Sequence, residues 1–421
     1  MSLTKTVGFF AVTTLAVGGA AFGQNDMQAQ IADLQAQIAE LKGAQGGQWL
    51  TEQRAAEIRG IVTDVLADAE TRSSLQGSGA GAGYDNGFFL SSADGNYSMK
   101  INVLQQMRWS FNDNDVDQAY GFENKRTRLT FSGNMVDSSW TYKLGYYLGY
   151  SNSAENFGAG ELADANVTKD FKNGFTVSVG QMKLPFSAEY GIDAGNLQFS
   201  DYSVVNTVFG TGYGQGLGFG YSADQFRVNG AYVNSINQVN QNWDSTSPSS
   251  DWAFAARGEF KFSGDWAQFN DAQSWKGEGM GVMAGLGYAV SRDDASDATP
   301  SALTLDVTVD FGGANVNGAY YWADDDVSGN NPSGFTLSGG VFLADDFELV
   351  ARYESFDNDA GTELSTFTVG GNWYLAKNSA KVGLELGWAA DPIPFDVLYA
   401  NWVTSADDGE WVVRGQMSFS F

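Results

Sequence analysis

The chain has 421 residues, no cysteine and no histidine, and 23 Lys+Arg against 50 Asp+Glu give a formal charge of −27. Without histidine the commonest general base and zinc ligand are missing, and without cysteine there is no thiol nucleophile, disulfide framework or thiolate metal site. So acidic a chain also repels nucleic acid, whose phosphates need Lys and Arg. A Ser-His hydrolase cannot be built from these residues, so an enzyme is not expected, and no cofactor or metal is called for.

Residues 1–23 begin with Lys5, continue through an apolar run from Val7 to Ala21 and end at Ala21-Phe22-Gly23. That is the plan of a secretory signal peptide, with an apolar run too short to span a membrane. Residues 24–48 follow with Met27, Ile31, Leu34, Ile38 and Leu41 at alternating steps of four and three. This is a short heptad seam, which predicts a coiled-coil oligomerisation stalk. A second helix is expected within 49–75, where Ile58, Ile61, Val62, Val65 and Leu66 share one stripe. Residues 76–83, rich in Gly, Ser and Ala, read as a flexible linker.

From residue 84 to 421 the period changes from helical to strict alternation. Trp140, Tyr142, Leu144, Tyr146 and Leu148 share one parity against Thr141, Lys143, Gly145 and Gly149. Leu303, Leu305, Val307 and Val309 likewise alternate with Thr304, Asp306, Thr308 and Asp310. A soluble sandwich and an outer-membrane barrel share this pattern within one strand. The persistence of the segments without helical interruption favours the barrel. So does the alternation of short turns (Gly312-Gly313, Asp345-Asp346, Lys377-Asn378) with long loops (112–121, 184–213, 237–250, 325–333, 391–409). The C-terminus, with apolar residues at every second place and Phe419 and Phe421 at its end, resembles the terminal-strand signal read by the barrel insertion machinery. The expected fold is all-β and transmembrane: a 16-stranded antiparallel outer-membrane β-barrel, or one of 18 strands if 395–403 pairs within its loop. Barrels of that size enclose an aqueous channel.

If the apolar parity faces lipid, Arg108, Arg126, Arg128, Lys143, Arg227, Arg257, Arg352 and Arg414 face the lumen as candidate pore-lining residues. Inward Glu259, Asp306, Asp310, Glu348, Glu354 and Glu385 accompany them, because any strand charge avoids lipid. The long mid-barrel loop carries the apolar anchors Phe186, Tyr190, Leu197 and Phe199. It is expected to fold inward as a constriction, with Lys183, Phe186, Glu189, Asp193 and Asp201 as its marked positions. Asp113-x-Asp115-x-Asp117 lacks the turn glycine and closing glutamate of a calcium loop and reads as a solvated turn.

Several strings resemble the phosphate-selective porin O and P family. They are Lys125-Arg126-Thr127-Arg128-Leu129-Thr130-Phe131, Val179-Gly180-Gln181-Met182-Lys183-Leu184-Pro185-Phe186, Glu348-Leu349-Val350-Ala351-Arg352-Tyr353 and Gly371-Asn372-Trp373-Tyr374-Leu375. The resemblance implies a homotrimer of sixteen-stranded channels in the outer-membrane lipid, with loop three turned inward. It makes Arg126, Arg128, Lys143, Arg257 and Arg352 passage residues. Its function would be passive diffusion of ions and small hydrophilic solutes; a phosphate- or anion-selective channel is the alternative. A further alternative is an envelope tether, in which the periplasmic stalk binds peptidoglycan.

Overall fold

The computed structural model describes residues 32–37, 81–113, 118–149, 160–236, 239–240, 251–292, 297–393, 402–403, 405 and 407–421. The chain divides into two compact units, Met1–Leu75 and Gln76–Phe421. In the first, residues 32–37 are helical, Leu34 is exposed, and Gln37 Nε2 donates to Asp33 Oδ2 one turn away (3.0 Å). Met27, Ile31, Ile38 and Leu41 of the heptad seam, the signal peptide and the second helix lie outside the described residues.

The second unit opens with a hairpin, β1 (Gly81–Tyr84) and β2 (Phe88–Ser91). Sixteen longer strands follow. They are β3 (Ser98–Asp113), β4 (Gln118–Met135), β5 (Asp137–Tyr147), β6 (Glu161–Asp170), β7 (Phe175–Lys183), β8 (Tyr213–Ser222), β9 (Phe226–Val233) and β10 (Trp252–Ser263). Then come β11 (Gly281–Arg292), β12 (Ser301–Asp310), β13 (Ala314–Asp324), β14 (Ser333–Phe342), β15 (Phe347–Asp357), β16 (Glu363–Tyr374), β17 (Ala380–Ala389) and β18 (Trp411–Ser420). Each is antiparallel to the next. β18 returns to β3 in a register running from Trp411↔Asp113 to Ser420↔Leu104, which closes the sheet. Closure removes the unpaired edge that hydrocarbon does not tolerate.

The outward parity is apolar and accessible. Leu217, Leu305, Leu337, Leu384 and Leu386 all keep more than two-fifths of their surface exposed. A continuous band of such residues in a folded protein is a lipid-facing belt. No described helix is long and apolar enough to cross a membrane; this chain crosses with strands.

One boundary and one connection differ from the sequence reading. The linker expected over 76–83 does not run to its end, because Gly81–Tyr84 is strand. Gly83 is small for a reason: a Cβ there would lie 2.9 Å from the Phe89 ring, which covers it from the partner strand. The two strands beyond sixteen therefore come from this hairpin, and 394–400, in the segment suspected of pairing, lies outside the described residues. The alternation of short and long connections also breaks once. The 264–280 connection, between β10 and β11, is long yet sits at the short-turn rim.

Candidate channel lumen

The loop from Leu184 to Gly212 turns into the barrel and stays there. It holds two short helices, α1 (Ala188–Gly191) and α2 (Val204–Phe209), capped by Ser187 and Ser203, whose side chains accept the Tyr190 and Asn206 N–H groups. Its apolar residues bury against the inner wall. Phe186, Val204, Val205 and Phe209 pack with Tyr321 and Phe356, while Leu197, Tyr190 and Tyr202 pack with Leu104.

A loop with so little regular structure brings unpaired peptide groups into a confined space, and each must find a partner. The inward charges supply them. Arg108 donates to Ser200 O (3.0 Å), Arg257 to Phe186 O (3.0 Å), Arg352 to Asp201 O (3.1 Å) and Lys381 to Leu197 O. On the acid side, Glu385 accepts from the Ser200 N–H and hydroxyl, Glu354 from the Val204 N–H (3.2 Å) and Asp306 from the Ala188 N–H (3.4 Å). Mixed charge on the inner wall thus has a structural cause: bases hold the loop's carbonyls and acids its amides.

The wall charges also pair with each other. Arg257 grips Asp306 through both terminal nitrogens (2.6 and 2.7 Å) and meets Glu259 (2.9 Å). Arg352 pairs with Glu354 (2.7 Å) and Glu189 (3.7 Å), and Arg414 with Glu385 (3.6 Å). Asp201, at the middle of the loop, meets Arg126 (2.6 Å), Lys125 (2.8 Å) and Arg108 (3.7 Å). Burial works against ionisation of Asp201, but these three cations outweigh it and hold the carboxyl well below the usual range. For Glu189, burial prevails over Arg352 and the Ser203 donors, and the carboxyl is pushed up.

Lys125 escaped the alternation argument. Strict parity points it at lipid, yet it is buried inside, because the register shifts between Gln106 and Met107 and leaves Lys125 as the extra residue of a bulge. The signal was in the sequence: two adjacent basic residues in a lipid-crossing strand cannot both alternate inward, so one of them requires a bulge.

The pore-lining set therefore separates in two. Arg108, Arg126, Arg257, Arg352 and Arg414 face inward but lie buried beneath the loop. Arg128, Lys143 and Arg227 border space that remains accessible: Lys143 pairs with Asp164 (3.0 Å), Arg227 with Glu259, and Arg128 with Asp193. Of the loop positions, Phe186 and Asp201 are buried, Glu189 holds Ser203, and Lys183 lies 3.9 Å from the Tyr190 ring centre. Asp193 caps Gly195 N–H (2.9 Å). Burial opposes its ionisation, but Arg128, the Gly195 N–H and Lys183 together hold it below the carboxylate range. Phe419 lies on β18, and Phe421 continues the pairing with Val103 (2.7 and 3.1 Å) while its ring meets Phe88.

The open space lies along β4 to β9. Thr130, Ser132, Asn166, Thr168, Thr176, Ser178, Gly216, Gly220 and Asn229 share the inward parity there and keep contact with solvent. The inward residues of β11 to β18 are mostly buried against the loop. Gly287 shows how close that packing is, since a Cβ there would lie 2.1 Å from Phe186 O.

The 264–280 segment closes part of the short-turn rim. Trp275 packs against Phe342 and Tyr374, and Asp271 accepts from the Trp275 indole (2.9 Å). Burial, with Glu278 adding, raises the Asp271 carboxyl to about 6, against Trp275, Lys377 and Lys381. A carboxyl whose folded value lies above its unfolded one favours the folded segment fully below the ordinary aspartate range. That contribution is lost as pH rises through about 6. Single-channel current is accordingly expected to become noisier from pH 4 to 7, and Asp271→Asn to flatten that dependence. An unchanged pH profile in the variant would exclude Asp271 as its source.

A closed sixteen-stranded barrel with an apolar outer belt, a polar interior and an inturned loop defines an outer-membrane porin. The family model of phosphate-selective porin O and P matches residues 101–328, more than half of the chain, and the chain belongs to that family. It is thus a porin of the outer membrane, passing ions and small solutes by diffusion. Solved structures of the same fold include the anion-selective porin from Comamonas acidovorans, at 13% identity over 77% of this chain and 99% of that one (TM-score 0.55). In-vitro folded OmpT of Vibrio cholerae in its trimer form matches at 16% identity over 77% and 99% (TM-score 0.51). Salmonella typhi OmpF in complex with daunomycin matches at 10% over 81% and 100% (TM-score 0.53). No curated protein matches the chain in sequence.

Proposed function

We propose that the protein is a passive diffusion channel with a weak preference for small anions, and that it acts as no enzyme. The carrying observation is which partner of the two wall ion pairs bordering the open side, between β5 and β6 and between β9 and β10, meets solvent. Along β5 to β10, Lys143 is 47% exposed against 5% for Asp164 and Arg227 24% against 5% for Glu259; in Arg128–Asp193, Arg352–Glu189 and Arg108–Glu123 the acid is the more accessible partner. The buried arginines are neutralised and leave the preference to these few groups. A lumen with a few accessible cations selects by field rather than by a binding cage. Reversal potential under a KCl gradient tests this. Anion preference is expected in the unmodified protein, and Lys143→Glu should lower the anion-to-cation permeability ratio by roughly threefold, as its charge changes by two. Cation preference in the unmodified protein would overturn the reading.

A homotrimer fits an anomaly on the outer belt. Gln105, Asn124 and Thr127 stand on its outward parity at β3 and β4, joined by Gln105 Nε2 donating to Asn124 Oδ1 (3.3 Å) and Thr127 Oγ1 donating to Gln105 Oε1 (2.8 Å). Lipid offers such groups no further partner, whereas a second copy can. The trimer form of OmpT supports that assembly. Replacing the three by Leu is expected to shift the trimer to monomer in native gels while each barrel still folds. A trimer that survives unchanged would place the interface elsewhere.

The chain enters β1 at the short-turn rim, which we assign to the periplasm. The preceding stalk would then lie on the cell-wall side, where it could reach peptidoglycan, and the Phe421 strand would be the segment offered to the insertion machinery.

A further inference from the structure

We propose that the 264–280 segment is a second barrier in the passage, set against the inturned loop from the opposite rim and filtering solute by size independently of it. The inference rests on the porin reading. Other connections at that rim are only a few residues long. This one reaches across: Trp266 Nε1 donates to Ala223 O (3.2 Å), Gly312 N to Ser274 Oγ (3.0 Å) and Asn378 Nδ2 to Gln273 Oε1 (2.9 Å), while Lys276 pairs with Asp345 (3.4 Å). Four separate turns of the rim thereby hold one strap. Its middle then meets the loop inside the barrel. Ala272 N donates to Asn196 O (3.1 Å), Gln273 Nε2 to Leu197 O (3.1 Å) and Asn196 Nδ2 to Asn270 O (3.4 Å), with Asn315 of the wall donating to Ala272 O (2.8 Å).

The space beside this meeting decides the function. A cavity of about 270 Å³ lies between the two elements, bordered by Gly191 and Ile192 of the loop, Asn270 and Asp271 of the strap, and Arg227 and Asn229 of the wall. A second space of about 680 Å³ lies at the rim, bordered by Ala267, Gln268 and Asp271 of the strap, and Asp271 is the residue the two spaces share. A solute that clears the loop at Gly191 therefore passes Asn270 before it leaves. Asn270 is exposed, and its bonds in the strap are made by its backbone, the carbonyl accepting from Asn196 Nδ2 and the N–H donating to Ala267 O, so its side chain can be changed without cutting the anchorage.

The native chain has no cysteine, so an introduced one is unique. Asn270→Cys, Gly191→Cys and, as an off-path control on a short turn, Asp224→Cys would be made in the full chain. A cationic and an anionic methanethiosulfonate would be applied to single channels in planar bilayers. Modification at 270 is expected to lower the current about twofold, as at 191, with no change at 224. Ala267→Cys, exposed on the same strap, serves if Asn270→Cys fails to fold. A block at 191 with indifference at both 270 and 267 would put the strap off the path and leave the porin reading standing. An unmodified trimer that carries no current would remove that reading, and this inference with it.

Discussion

Asp201→Asn releases the lumen loop: single-channel current is expected to rise severalfold and to flicker, and the assembly to unfold at a lower temperature. The carboxylate is shared by Arg126, Lys125 and Arg108, all buried. Neutralising it removes the acid these three desolvated cations share, leaving Glu123 beside Arg108 (3.6 Å), and breaking a buried pair typically costs about 3–5 kcal/mol. Arg352 would still hold the Asp201 carbonyl (3.1 Å), so the loop should loosen at its middle rather than leave the barrel. Current recordings and heat-modified gel mobility together check this. A variant with native conductance and native melting would show that the carboxylate does not anchor the loop.

Arg257→Met is the second severe change. It removes the bidentate hold on Asp306, the contact with Glu259 and the donor to Phe186 O. Asp306 is left buried without a counter-charge, and a loss of about 3–5 kcal/mol is expected in denaturant midpoint comparisons. Adding Asp306→Leu should recover most of it, because removing both members of a buried pair is far cheaper than removing one. Equal stability of the single and double variants would contradict the pairing.

The fold was legible because alternation in a barrel is enforced on both faces, by lipid outside and water inside. The sixteen strands expected from the pattern are the sixteen longer strands observed, β3 to β18. Parity also placed the arginines inward. It could not say what they meet there, since Asp201, Glu385 and Glu354 become partners only through a loop that has no period. Lys125 was hidden by a one-residue bulge, and 264–280 by having neither alternation nor a helical stripe. Segments held by other segments, rather than by their own pattern, leave little trace in the chain. The Gly-rich stretch before the barrel misled for a related reason: glycine reads as slack, but at Gly83 it makes room for Phe89.

That hairpin has a consequence for how the barrel closes. β2 occupies the lower edge of β3 from Ser98 to Ile101, and the terminal strand occupies the same edge from Val103 upward. The terminal strand shares that edge with β2 and ends against it, with the Phe421 ring resting on Phe88. Sliding two residues further would drive Phe421 into strand that is already paired. The register at closure completes the stagger that the other strand pairs accumulate, so a four-residue strand at the beginning serves as an end-stop for the closing pair.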